Sequence, residues 1–277
     1  MTRISDFEEA ISRHARAPRT VGFFDERKEI RGCNAVTKAT ETELSFIANY
    51  VEKQSALAIA SSTRSGFLLA PTSLQAEIKR ENTIFLDNPR MWFVYLVNKF
   101  KLIPSDAPPL TIIGEAKIEG LGVSKHGYVR IGEDVSLLDY SVIGLDGFGF
   151  ERIVFENRTE RFPHFFGVEL EDGVEIGAYS NVDRGVFENT VVKKQTKIDK
   201  HVHVAHNVKI GENCEIVAGT IIGGSVVIGD GCFVGENVSL RDNVKIGNKV
   251  FVGMGSNVVN DIPDNVTIMG NPARIVK

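Results

Sequence analysis

The amino-acid sequence predicts a mainly β protein, in which a parallel β-helix follows a small α/β domain. Three observations lead to this prediction. Every sixth residue from Val192 to Val258 is Val, Ile or Leu, over twelve successive positions. The fifth residue of each of these hexads is small or β-branched, which suits a strand and a tight interior. The fourth residue is often Gly or Asn, which tolerate a left-handed backbone at a turn.

A period of six residues with β-forming residues and turns predicts a triangular solenoid. Three hexads form one coil of 18 residues, so the twelve hexads form four coils. The same phase occurs earlier in the chain, at Ile131, Leu137, Ile143, Leu170, Ile176 and Val182. Two interruptions, at residues 149–167 and 188–191, break this register. Segments that leave a rigid solenoid often carry function.

Residues 1–105 lack the six-residue period and predict the α/β domain. We expect helices at residues 5–16 and Pro89–Phe100, and strands at residues 57–60, 67–70 and Thr83–Leu86. A proline-rich linker follows, then the β-helix at residues 111–268 and a C-terminal tail at residues 269–277.

Composition excludes several classes of protein. The 277 residues carry a net charge of −4, so a nucleic-acid binder that relies on basic charge is excluded. Three cysteines make no disulfide framework, and charged residues among the first eighteen argue against a signal peptide. The apolar run at residues 91–100 is too short for a membrane span. We therefore expect a cytoplasmic protein without stable membrane insertion.

Several motifs resemble those of a known family. They are residues 39–49 (ATETELSFIAN), 87–100 (DNPRMWFVYLVNKF), 146–150 (DGFGF), 183–185 (DRG) and 205–207 (AHN). With these, the chain resembles the UDP-3-O-acylglucosamine N-acyltransferases of lipid A synthesis, within the hexapeptide acyltransferases. The resemblance implies a left-handed β-helix and a homotrimer with active sites between subunits. It also implies transfer of an acyl group from a thioester to the amine of a nucleotide-linked sugar.

The same resemblance implies a nucleotide site in the first domain. Phe46 and Asn49 match an aromatic residue and an asparagine that grip the uracil in that family. The tyrosine expected beside them falls near Glu52, and Tyr50 is the candidate to replace it.

The C-terminal end resembles a different group of acyltransferases. Residues 253–277, with GNPAR at 270–274, are similar to the ending of coenzyme-A-dependent sugar acetyltransferases. That similarity implies acetyl-CoA as the donor, with Asn271 and Arg274 among its contacts, and a role in surface polysaccharide synthesis. A second histidine of the lipid A enzymes falls on Asn243 here. The alternative is a lipid A enzyme that uses acyl carrier protein.

Acyl transfer to an amine requires a base for the amine proton and a donor for the thioester oxygen. His206 of the AHN motif is the predicted base, with Asn207 beside the substrate. Gly224, one coil further, would supply its backbone N–H to the oxygen and approach the cofactor. Asp199 matches an aspartate of the family and would orient the base or the amine, and His203 is a candidate substrate contact. Phe148 and Phe150 either pack at the loop exit or line the sugar site.

Two other classes of function, a zinc enzyme and a non-catalytic scaffold, fit parts of the sequence. Trimeric hexapeptide carbonic anhydrases bind zinc through histidines, and His201 and His206 show their spacing, with His164 upstream. That alternative leaves the first domain and GNPAR unexplained, so we expect no metal. A non-catalytic scaffold would need neither the AHN motif nor a nucleotide-type domain.

Overall fold

The computed structural model of the chain describes residues 2–14, 19–21, 28–118 and 121–277. These residues form two compact units. The first comprises Met1–Ala107 with Gly149–Pro163, and the second comprises Pro108–Phe148 with His164–Lys277. The predicted boundaries, 1–105 and 111–268, assign residues 149–163 to the β-helix. The structure instead groups this insertion with the first unit, because its side chains bond to a helix there.

The first unit contains a five-stranded sheet in the order β2-β7-β6-β5-β4. Strands β4 to β7 are parallel, and β2 lies antiparallel at the edge beside β7. A separate antiparallel pair joins β1 to β3. The strands are β1 (Thr2–Arg3), β2 (Arg19–Val21), β3 (Glu29–Ile30), β4 (Gly32–Cys33), β5 (Glu43–Phe46), β6 (Phe67–Pro71) and β7 (Thr83–Leu86).

Within the part of this unit that the structure describes, three α-helices and one 3₁₀ turn accompany the sheet: α1 (Ile4–Ser12), α2 (Lys53–Ser62), the 3₁₀ turn Thr72–Leu74 and α3 (Pro89–Phe100). Helix α3 has the predicted bounds, since Asn88 Oδ1 accepts from Met91 N–H at 3.1 Å and Lys101 turns left-handed at φ 55°. The strand predicted at residues 57–60 is wrong, because this segment lies within α2. Alanine favours a helix, and Ala56 and Ala60, one turn apart, are its buried residues.

A hairpin leaves the β-helix and belongs to the first unit. It consists of β14 (Phe150–Ile153) paired antiparallel with β15 (Arg158–Arg161). Arg90 of α3 forms an ion pair with Glu151, and Asn98 donates its side-chain N–H to the Arg161 carbonyl at 3.0 Å. These contacts explain why the insertion groups with α3.

The second unit is a parallel β-solenoid with three faces. Each face is one sheet, and the parallel pairing confirms the predicted β-helix. The first face contains β8 (Ile112–Ile113), β11 (Val129–Ile131), β16 (Val168–Leu170), β19 (Thr190–Val192), β22 (Lys209–Ile210), β25 (Val227–Ile228) and β28 (Lys245–Ile246). The second face contains β9 (Lys117–Ile118), β12 (Ser136–Leu137), β17 (Glu175–Ile176), β20 (Lys197–Ile198), β23 (Glu215–Ile216), β26 (Phe233–Val234), β29 (Phe251–Val252), β31 (Thr267–Gly270) and the antiparallel β32 (Ala273–Ile275).

The third face contains β10 (Ser124–Lys125), β13 (Val142–Asp146), β18 (Asn181–Arg184), β21 (His203–Val204), β24 (Ile221–Ile222), β27 (Ser239–Leu240) and β30 (Asn257–Val258). Paired residues in the regular part are 18 apart, as His203 and Ile221 are. The interruption at 188–191 lengthens one coil, so Asn181 pairs with His203, which is 22 residues away. The register shift read from the sequence is thus present in the strand pairing.

The six-residue period corresponds to the interior of the solenoid. All twelve aliphatic positions from Val192 to Val258 are at most 3% exposed. Eleven of the twelve fourth positions have a positive φ, the exception being Asp261. The interior stack and the left-handed corners were both predicted from the sequence.

No helix of the described residues has both the length and the apolar character that a membrane crossing would require.

The solenoid core predicts a contrast between two neighbours on β24. Ile222 is fully buried, whereas Ile221 points outward and is 52% exposed. Ile222→Ala should lower the free energy of unfolding by about 2–5 kcal/mol, the usual cost of a cavity of this size. Ile221→Ala, the matched control, should cost less than about 1 kcal/mol. Urea denaturation would measure both, and equal losses would contradict the assigned facing of this strand.

Candidate active site

Three motifs that are distant in the sequence meet at one corner of the solenoid, the turn between the third and first faces. Arg184 forms an ion pair with Asp146 at 2.5 Å, joining DRG to DGFGF. A β-carbon on Gly185 would lie 3.2 Å from Asn207 Nδ2, so DRG also borders AHN. His206 lies at the centre of this corner.

The Asn207 side chain determines which nitrogen of His206 carries a proton. Its Oδ1 accepts from Val186 N–H at 3.2 Å, and its Nδ2 donates to the Glu188 carbonyl at 3.1 Å. These two backbone partners fix the orientation of the amide. Since Oδ1 also lies 3.0 Å from His206 Nδ1, that nitrogen must be the donor. In the neutral ring, Nε2 is therefore unprotonated and able to act as a base.

The longer coil supplies these partners. Val186 and Glu188 lie between β18 and β19, where the chain has four residues more than a regular coil. Thr190 Oγ1, at the start of β19, accepts from Asn207 N–H at 2.9 Å. The interruption of the repeat thus holds the asparagine that orients His206.

Gly224 lies against the opposite end of the imidazole. A β-carbon there would be 2.8 Å from His206 Nε2 and 2.7 Å from Cε1, so any other residue would force the imidazole to move. Among the described residues, no acceptor takes a hydrogen bond from the Gly224 amide N–H. A donor beside Nε2 is suited to an oxygen on which negative charge develops.

Asp183 and His164 lie near the Cδ2 edge of His206. A β-carbon on Gly147 would be 3.1 Å from both His206 Cδ2 and His164 Nε2, and 3.3 Å from Asp183 Oδ2. The two imidazoles meet edge to face, with centroids 5.4 Å apart. Both Asp183 and His164 are buried. No role for Asp183 was predicted from the sequence, and His164 was predicted only as a possible zinc ligand of the alternative function.

The Asp183 carboxyl has an unusual electrostatic environment. Burial raises its pKa above the ordinary carboxyl value, and the nearby Asp146 charge acts in the same direction. The imidazoles of His203 and His206 and the hydrogen bond from Asn181 oppose this rise in pKa. The ionised carboxylate is therefore unfavourable here unless a positive charge lies beside it.

His203 is linked to the same cluster. Its Nδ1 lies 2.8 Å from Asn181 Nδ2 and 3.0 Å from Asn181 Oδ1, and Asn181 Nδ2 also donates to Asp183 Oδ1 at 3.0 Å. His203 lies on β21 and is half-buried, two residues before the AHN motif begins. The structure thus brings together His203, His206, Asn207 and Gly224 from the predicted set.

Asp199 lies in the turn between the second and third faces, with its carboxylate 3.5 Å from Lys200 Nζ. His206 lies in the next turn, on the other side of the third face, so the two residues occupy different corners of one chain. The predicted role of Asp199 in orienting the base or the amine remains a prediction, and Asp183 is the carboxylate that lies near His206 in the same chain.

The two phenylalanines of DGFGF differ. Phe148 is 89% exposed, so the interpretation of this residue as core packing is wrong. Phe150 begins β14 in the first unit, and the Arg161 guanidinium lies 4.6 Å above its ring.

The GNPAR segment forms the turn between β31 and β32. Asn271 Oδ1 accepts from Asn257 Nδ2 at 3.2 Å, and Arg274 donates to the Ala273 carbonyl at 2.9 Å while its side chain is exposed. Asn243 is exposed and donates to Asp242 at 3.1 Å.

The predicted nucleotide residues lie at the carboxyl edge of the first unit's sheet. Phe46 ends β5 and packs on Phe93 with centroids 4.7 Å apart. Asn49 donates its side-chain N–H to the carbonyl of Asp87, whose carboxylate accepts from Thr72 Oγ1 at 2.8 Å. The carboxyl ends of parallel strands are where ligands bind in open α/β sheets. The neighbouring Tyr50 is 81% exposed.

The histidines of the zinc alternative do not meet in the chain. His201 stacks on Tyr179 at 5.2 Å in the turn before the third face, whereas His164 contacts His206 in the turn after it. Within the described residues, no group of three His, Cys, Asp or Glu side chains is arranged to hold a metal ion.

Comparison with known proteins supports the repeat assignment. Residues 189–224 and 225–260 match the family model described as bacterial transferase hexapeptide (six repeats). A curated relative, UDP-3-O-acylglucosamine N-acyltransferase from Campylobacter lari, is 29% identical over 223 residues, which are 65% of this chain. The match spans 66% of the relative's length.

Solved structures with similar chains include two acyltransferases. UDP-N-acetylglucosamine acyltransferase from Francisella novicida is 21% identical, with 60% of this chain and 68% of that chain covered and a TM-score of 0.49. A polysialic acid O-acetyltransferase is 19% identical, with 59% and 89% covered and a TM-score of 0.42.

The Asn207 contacts predict the tautomer of His206. In ¹⁵N-histidine NMR spectra recorded above the histidine titration range, His206 should carry its proton on Nδ1. His126, whose Nε2 lies 3.2 Å from the Ser124 hydroxyl, serves as the exposed control without such a fixed partner. A His206 signal with the proton on Nε2 would contradict the assigned orientation of Asn207.

Proposed function

We propose that the protein is an N-acyltransferase that acts on the amine of a UDP-linked amino sugar. The observation that carries the proposal is the contact of His206 Nδ1 with Asn207 Oδ1 at 3.0 Å, which leaves Nε2 as the candidate base, with Gly224 packed against the Nε2 side of the ring. These are a base for the amine and a donor for the thioester oxygen. The name of the curated relative supports the acceptor class.

The reaction follows from these two groups. The amine nitrogen attacks the thioester carbonyl, forming the N–C bond and placing negative charge on the oxygen, which the Gly224 N–H stabilises. His206 Nε2 takes the proton from the nitrogen. The C–S bond then breaks, and the leaving thiolate takes the proton from His206, which restores the imidazole for the next turnover. No metal is required for any of these steps.

The donor has two candidates. The curated relative favours the lipid A alternative over acetyl-CoA, because its name is that of a lipid A pathway N-acyltransferase. The exposed Arg274 on the C-terminal hairpin supports a coenzyme A phosphate contact. Purified protein should be incubated with a UDP-linked glucosamine that carries a free amine, and with either acetyl-CoA or an acyl carrier protein thioester. Amide product identifies the donor, and no product with either thioester would contradict the proposal.

We further propose that the working form is a homotrimer. His206 lies at a corner of the solenoid, in the turn between the third and first faces, and is half-buried in one chain. Ligand sites are concave. A neighbouring copy placed against this corner would provide the second wall, and its Asp199 remains a candidate to reach the amine.

Replacing the base should affect the chemical step. His206→Gln should lower kcat about 10²–10⁴-fold, the usual range for a lost general base, with little change in donor KM. His126→Gln, at an exposed residue, is the matched control and should leave kcat unchanged. A loss below about fivefold for His206→Gln would show that another group takes the proton.

The first unit should contribute to binding of the acceptor. Phe46 can stack on a base, so Phe46→Ala should raise the acceptor KM about tenfold, consistent with a stacking loss of 1–3 kcal/mol, and leave donor KM unchanged. Phe46→Tyr retains the aromatic face and should keep most of the affinity. Equal increases in both KM values would mean that Phe46 only packs on Phe93.

A further inference from the structure

We propose that Asp183 is a positioning residue whose buried charge stabilises the protonated form of His206, with His164 holding the imidazole edge beside it. This inference rests on the acyl transfer proposed above. It concerns two buried residues that the repeat pattern did not single out and that lie 23 and 42 positions before His206 in the sequence.

The geometry places the carboxylate near the reacting edge of the ring. Asp183 Oδ1 is occupied by the Asn181 amide, while Oδ2 is directed towards the space above Gly147. His206 Cδ2, which is bonded to Nε2 in the ring, borders the same space. The charge therefore lies near the nitrogen that takes the proton, on the side away from Gly224.

Two other carboxylates near the space above Gly147 form ion pairs with basic side chains. Asp146 forms an ion pair with Arg184, and Glu188 forms one with Lys209 at 2.7 Å. His203 reaches Asp183 through the shared Asn181 amide. His164 packs edge to face on His206. Asp183 is thus a buried carboxylate near the imidazoles of His203, His206 and His164, and the charge of His203 lowers its pKa more than the charge of His206 does.

The interaction between Asp183 and His206 should stabilise the transition state more than the ground state. While His206 is neutral, burial makes the ionised Asp183 unfavourable, which is why its pKa is raised. When His206 takes the amine proton, the new positive charge offsets that cost. An interaction that strengthens only as the proton moves lowers the barrier without tightening substrate binding.

The kinetic test is Asp183→Asn, which keeps the size of the side chain and removes its charge. kcat should fall about 10- to 100-fold, the size of a lost interaction with a charged group, with little change in either KM. The acidic limb of the pH profile for kcat/KM should move to lower pH, because the imidazolium has lost its counter-charge. His164→Gln should retain more activity than His164→Ala, which leaves a gap beside the ring. An unmoved acidic limb would overturn the proposal.

A second test does not depend on activity. The free energies of unfolding of the wild type, Asp183→Asn, His206→Gln and the double variant form a double-mutant cycle. The two changes should be non-additive at about pH 5.5, where histidine is largely protonated, and additive at about pH 8. Asp172→Asn combined with His206→Gln is the control. Asp172 is partly exposed and paired with Lys194, so this pair should be additive at both pH values.

The pH dependence of stability also predicts the direction in which Asp183→Asn and wild type should differ. Because the folded pKa of Asp183 is raised, its carboxyl favours folding at low pH and loses this contribution as the pH rises through that value. The stability of Asp183→Asn relative to wild type should therefore increase as the pH rises above the ordinary aspartate pKa of about 3.9. A purely structural hydrogen bond to Asn181 would give a loss without this slope.

The outcomes separate the two proposals. Coupling in the cycle without acyl transfer by the wild type would retain the Asp183–His206 interaction and reject the proposed function. Acyl transfer with an additive cycle at about pH 5.5 would retain the function and reject Asp183 as the counter-charge.

Discussion

The stacking of 18-residue coils is the constraint on which the second unit depends. Each coil places one buried aliphatic residue on each face, and parallel pairing sets neighbouring coils about 4.8 Å apart. His206 and Gly224, 18 residues apart, therefore lie directly above one another. The close approach of the imidazole to the glycine is a consequence of coil spacing, and it needs no long loop to form.

Part of the surroundings of His206 comes from the two segments that interrupt the six-residue repeat. Four extra residues between β18 and β19 provide the backbone groups that orient Asn207. The longer insertion begins after Phe148 and ends at His164, which returns against His206. A regular solenoid offers only short, equivalent corners. The two interruptions make this corner different from the others and give His206 its particular partners.

Periodic features were predictable from the sequence, and long-range contacts were not. The buried positions and left-handed corners follow from a six-residue pattern that is repeated twelve times. His206 and Gly224 were found because a motif and a coil length identify them. Helix α2 was missed because a short apolar run does not distinguish a helix from a strand.

Asp183 and His164 illustrate why the rest could not be predicted. Their proximity to His206 depends on the paths of two irregular segments, for which no repeat gives a register. Asp199 matches a family motif, and counting residues around the coil places it one face away from His206 in the same chain. His206 could be named from the sequence as the predicted base, whereas the carboxylate of Asp183 beside it is visible only in the structure.

The electrostatics of the corner favour a catalytic role over a merely structural one. A buried carboxylate whose pKa is raised by burial lowers stability at neutral pH, so stability alone gives no reason for an acid at position 183. Packing would be served as well by an asparagine, which can still bond to Asn181. An acid becomes useful when a positive charge forms nearby, and His206 is the group that acquires one in the proposed reaction. The orientation of Asn207 and the burial of Asp183 thus both fit the proposed transfer, in which the proton is taken at Nε2 and its charge is offset across the ring edge.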